Sequence, residues 1–140
     1  MLKQLLIGAA AMAATVGIQA IFMTFALNWA KASTQRAGWR PTRSLAVTAV
    51  ILWFFVSICI QCWGWAWLLL YLGALNDLET ALYFTIVTYA TLGYGDVVLT
   101  PDWRLLGAVA ALNGTIIVGW TTAMVIAVVQ LEYSSDEPQS

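Results

Sequence analysis

The chain has 140 residues, 61% of them hydrophobic and only 9% charged, with eight Trp, no His and a formal net charge of −1. That balance excludes an ordinary soluble domain, in which about 25% of residues are charged, and it offers no basic excess for nucleic acid. With no His, no paired carboxylates inside an apolar stretch and no nucleophile beside a base, it also offers no arrangement for enzyme catalysis.

Three stretches are long enough to cross a bilayer, for which a helix needs about 20 apolar residues. The first, Leu5 to Asn28, lies in an N-terminal region, 1–30. Ala9, Ala13 and Gly17 recur there every four positions, a spacing of small residues that lets helix backbones approach closely, so a packed peripheral helix is expected. The same stretch admits a secretory signal peptide with Ala30-Lys31-Ala32 as its cleavage site. Cleavage would release the next loop outside and invert both remaining spans. That loop, 31–44, carries Lys31, Arg36, Arg40 and Arg43 and no acid. The positive-inside rule assigns it to the cytoplasm, and its charges suit anionic lipid headgroups at about 1 kcal/mol each near the surface. Three spans then put the N-terminus and residues 73–104 outside and the C-terminus in the cytoplasm.

The second span, 45–72, carries Cys59 and Cys62 and a cluster of Trp63, Trp65 and Trp67 toward its outer half. Without a second ligand pair, the Cys-x-x-Cys spacing reads as two buried thiols rather than a zinc site. The tryptophans suit an interfacial belt. A shorter apolar stretch follows at 78–90. At about 1.5 Å per residue it reaches only about 20 Å, too little to span, so it is expected to be a re-entrant helix. Asn76 is its expected N-cap, with Glu79 completing a capping box, and its C-terminal end near Thr88 to Ala90 carries the negative end of the helix dipole.

Thr91-Leu92-Gly93-Tyr94-Gly95-Asp96 comes next. Extended backbone sends successive carbonyls to opposite sides, and aiming them at one axis requires positive φ at some residues, which Gly93 and Gly95 adopt without steric cost. Stacked carbonyls of that kind replace the hydration shell of a potassium ion. Flanked by a short helix and two apolar spans, this run resembles the selectivity filter of the potassium-channel pore-domain family, and the likeness covers about 45–131. The resemblance implies that potassium is held by the backbone carbonyls of Thr91, Leu92, Gly93 and Tyr94 and by the Thr91 hydroxyl. It implies that Gly95, Asp96 and Tyr83 give filter geometry and support, the Tyr83 hydroxyl reaching Asp96, and that the Tyr94 ring braces the filter from outside. Leu92 replaces the commoner Val or Ile, and Val87 stands where some bacterial channels place an acid behind the filter. One filter strand cannot surround an ion, so a homotetramer is implied. No cofactor is implied beyond potassium as the permeant ion.

Pro101, Trp103 and Arg104 lead into the third span, 105–131. Asp77, Glu79, Asp96 and Asp102 outnumber Lys3 and Arg104 on the outer face, which would concentrate cations there. By the resemblance this span is the pore-lining inner helix, with Gly114 and Gly119 as hinge positions and Ala127, Val128 and Leu131 as a hydrophobic gate. Asn113 lies deep in the bilayer and needs a partner; it is expected on the short helix at 78–90, through Thr85 or Thr88, or on a neighbouring chain. The tail, 132–140, is short and acidic.

The expectation is an all-α integral membrane protein of a bacterial inner membrane: three transmembrane helices, a re-entrant pore helix and a filter strand (91–96), assembled as a four-fold potassium channel. A non-selective cation channel on the same architecture and a non-conducting accessory membrane protein are the alternatives.

Overall fold

The computed structural model describes residues 1–35 and 43–134. Over these, the chain forms α1 (Leu2–Gln35), α2 (Arg43–Tyr71), α3 (Leu78–Tyr89) and α4 (Arg104–Ser134). Three helices are long and apolar enough to cross a membrane, over Leu2–Trp29, Val47–Tyr71 and Arg104–Gln130. α2 starts ahead of its apolar stretch, and α1 and α4 continue beyond theirs, because backbone hydrogen bonding does not stop where side chains turn polar. Lys31 and Arg43 therefore lie within helices. Arg36, Arg40 and the tail from 135 lie outside the described residues.

Contacts along α1 and α4 advance in step, so the two helices run parallel and α2 runs against them. Lys3 Nζ sits 5.6 Å from the centre of the Trp103 ring, Thr15 bonds to Asn113 and Gln19 to Thr121. The small residues expected to pack, Ala9, Ala13 and Gly17, are exposed in the single chain. The close approach is made one position earlier, at Gly8, where a Cβ would lie 2.8 Å from Val109 Cγ1.

The interior has three levels. At the end holding α3, Trp65, Leu69, Phe84, Tyr89, Leu106 and Ile117 form one apolar cluster. At the opposite end, Ala26, Val50, Phe54, Met124 and Val128 form another. Between them, Thr15, Gln19, Ser57, Gln61 and Asn113 are all buried, close to the middle of their respective spans. The tryptophan cluster of α2 divides accordingly: Trp65 is buried, whereas Trp63 and Trp67 are exposed. Val128, expected in a gate, instead packs inward against α1 and α2, where its apolar side chain is 1% exposed. Leu131 lies outside the residues whose side chains are described. Cys59 and Cys62 are free thiols.

Candidate functional site

The site is built around the two ends of α3. Its N-cap is Asp77, not Asn76: Asp77 takes the extended conformation a cap requires (φ −137, ψ 155), and its Oδ1 accepts from Thr80 N at 2.8 Å. Asn76 is one residue too early to reach the free amides of the first turn. That amide bond holds the exposed Asp77 carboxyl below its ordinary pKa. Glu79 adds negative charge to the first turn, where the helix dipole favours it.

The C-terminal end leads directly into the Thr91–Asp96 segment. Ala90 is the C-cap; Thr91 N donates to Thr88 O at 3.1 Å and Leu92 N to Val87 O at 3.0 Å. This pair of bonds is the Schellman closure, which needs a left-handed residue just past the cap, usually Gly. α2 ends with the same closure, Gly73 N to Leu70 O and Ala74 N to Leu69 O, both 2.9 Å, and there the left-handed residue is Gly73 (φ 67). At the end of α3 it is Thr91 (φ 58). A β-branched residue at positive φ is an outlier that costs about 1–2 kcal/mol.

Gly93 (φ 55) and Gly95 (φ 79) continue the pattern, whereas Leu92 and Tyr94 have negative φ. Left-handed residues thus alternate along 91–95. Positive φ at alternate residues is the kind of departure from extended backbone that aiming successive carbonyls at one side requires. The segment pairs with no other strand, and Thr91 joins the two glycines in having positive φ. All six residues are exposed in the single chain, Leu92 at 56% and Tyr94 at 69%. Val87 has no acid to offer, yet its carbonyl holds the Leu92 amide.

At the far end of the segment, the Tyr83 hydroxyl donates to Asp96 Oδ2 at 2.6 Å, and Asp96 Oδ1 accepts from Val97 N at 3.0 Å. The tyrosine bond is the main cause of an Asp96 pKa below the ordinary value. A cleft of about 440 Å³ lies between α3 and residues 93–99, lined in part by Phe84, Val87, Thr88 and Leu99.

At the C-terminal end of α3, Asn113 is fully buried and bonds to that helix, as expected, but through Tyr89 rather than Thr85 or Thr88. Its Nδ2 donates to Tyr89 Oη at 2.7 Å and to Thr15 Oγ1 at 2.8 Å; Thr85 instead bonds within α3, to Ala81 O. Tyr89 Oη donates in turn to Gln61 Oε1 at 3.3 Å. Gln61 Nε2 and Ser57 Oγ both donate to Gln19 Oε1, and Gln19 Nε2 donates to Thr121 Oγ1. The chain of bonds touches all four helices. Reading the sequence found Asn113 and missed Thr15, Gln19, Ser57, Gln61 and Tyr89, although polar pairs four apart in mid-span, Thr15/Gln19 and Ser57/Gln61, were a usable signal. Gly114, expected as a hinge, sits against α3: a Cβ there would lie 2.7 Å from both Tyr89 Cα and Tyr89 O. Gly119 has nothing within 4 Å of such a Cβ.

A family model described as ion channel matches residues 50–131, more than half of the chain. Neither a curated protein nor a solved structure matches it.

Proposed function

We propose, starting from the fact that the chain belongs to the ion-channel family, that it is a potassium-selective channel. Membership makes it an integral membrane ion channel and not an enzyme, and implies that several chains assemble around a pore. The finer reading rests on one observation, the alternation of left-handed residues at Thr91, Gly93 and Gly95. Four such segments around an axis present rings of carbonyl oxygens from Thr91, Leu92, Gly93 and Tyr94, with the Thr91 hydroxyl as the innermost ring. These oxygens replace the hydration shell of a potassium ion. Asp96, held ionised by Tyr83, draws cations to the outer mouth, within the reach of about 8 Å that physiological salt allows. α4 is the inner helix of a homotetramer, with the N-terminus and the Thr91–Asp96 segment outside and the basic loop in the cytoplasm, where it meets anionic lipid.

The test is ion flux through purified protein in liposomes, native chain against Gly93→Ala and Tyr94→Ala variants that still assemble. Flux strongly favouring potassium over sodium, and lost in the variants, is the expected result. Equal flux of both ions would replace this reading with a non-selective cation channel. No flux from a chain that stays monomeric or dimeric would replace it with an accessory protein.

A further inference from the structure

We infer that α1 is a positioning element of the filter, with Thr15 and Gln19 holding its inner end through Tyr89; this rests on the potassium-channel reading above. Tyr89 lies two residues before Thr91, so whatever fixes Tyr89 fixes the start of the filter. Two things fix it. Its backbone is pressed by α4 at Gly114, where no side chain would fit. Its hydroxyl is held between Asn113 Nδ2 and Gln61 Oε1.

Neither of those amides is held by α3. Asn113 is oriented by Thr15, whose own hydroxyl is anchored to Met12 O at 2.8 Å. Gln61 is oriented by Gln19 Oε1, with Ser57 on the same acceptor. Thr15 and Gln19 are one turn apart on α1, so both arms of the clamp end on one face of that helix. The clamp sits between two apolar clusters with its members 5% exposed or less, where every polar group must find a protein partner. Val87 carries no polar group to brace the segment after α3; the Tyr89 clamp supplies one from α1.

The experiment compares Thr15→Val, Gln19→Leu and Tyr89→Phe with the native tetramer in liposomes. Intact mass first verifies that α1 is present. Two quantities are read: the potassium-to-sodium permeability ratio, and the gain in tetramer melting temperature when sodium is exchanged for potassium. The ratio is expected to fall about tenfold in each variant, with the potassium-specific gain reduced alongside it, and Thr15→Ser is expected to restore both. Thr15→Val combined with Tyr89→Phe is expected to do no more than Tyr89→Phe alone, because the tyrosine hydroxyl joins both arms. Where a variant does not assemble, Gln19→Asn, which keeps the amide and shortens its reach, carries the test with the same expected result. Variants that melt lower in both salts while keeping the native ratio would overturn the proposal and leave the clamp a packing device. A native chain without potassium preference would overturn it together with the reading it rests on.

Discussion

At the scale of single residues, Thr91 and Asp96 carry distinct physical signatures. Thr91 occupies a left-handed position that Gly73 fills at the equivalent end of α2, so the threonine is kept there at a conformational cost of about 1–2 kcal/mol. Thr91→Gly is expected to raise the melting temperature of the protein in sodium, by relief of that strain, and to weaken the stabilisation potassium adds, by loss of a ring of hydroxyls. A variant less stable in sodium would show that the hydroxyl serves folding instead. Asp96 is exposed and has a lowered pKa, caused first by the Tyr83 hydroxyl. A depressed carboxyl pKa stabilises the structure at pH values above the ordinary aspartate range, and that contribution is lost as pH falls through the depressed value. Tyr83→Phe removes the main cause and returns Asp96 toward the ordinary value. The acid midpoint of flux, followed from about pH 6 down to about pH 3, is therefore expected to move upward in Tyr83→Phe. An unchanged midpoint would mean that Asp96 does not set the acid limit.

At the scale of elements, the ends of α3 and its contact with α4 decide how the segment after it is aimed. Asp77→Ala removes the cap on Thr80 and is expected to cost about 1 kcal/mol, whereas Asn76→Ala is expected to cost a few tenths at most. Chemical denaturation of both variants in mild detergent checks this, and the reverse order would restore Asn76 as the cap. The two inner-helix glycines separate in the same way. Gly114→Ala drives a methyl group into the Tyr89 backbone, which cannot move without moving Thr91, so a loss of about 1–3 kcal/mol is expected. Gly119→Ala meets nothing within 4 Å and gains up to about 1 kcal/mol of helix propensity. Loss of flux with preserved stability in Gly119→Ala would therefore report bending of α4, a conclusion that Gly114→Ala cannot support because its packing fails first.

At the scale of the whole molecule, what was legible in the sequence follows from how local the determining physics is. The three spans could be read because apolar length is a property of one segment, and Gly93 and Gly95 because positive φ is a demand on one residue. The positive φ of Thr91 escaped notice because it comes from the closure of the preceding helix. The partners of Asn113 escaped because they lie on two other helices, Thr15 on α1 and Tyr89 on α3, and the direction of Val128 because periodicity alone does not say which face of α4 meets α1 and α2. That face is now identified: Leu106, Ala110, Asn113, Ile117, Met124 and Val128 are buried, while Leu112, Ile116, Gly119 and Ala123 recur at helical spacing and remain exposed. In the proposed tetramer, this exposed stripe of α4 is the surface available to line the pore. With Cys59 and Cys62 replaced by serine, Ala123→Cys is expected to make flux sensitive to a water-soluble thiol reagent, and Val128→Cys is not. Block through position 128 alone would turn α4 over, bring the expected hydrophobic gate back to Val128, and require α1 and α2 to pack on the stripe that is uncovered in the single chain.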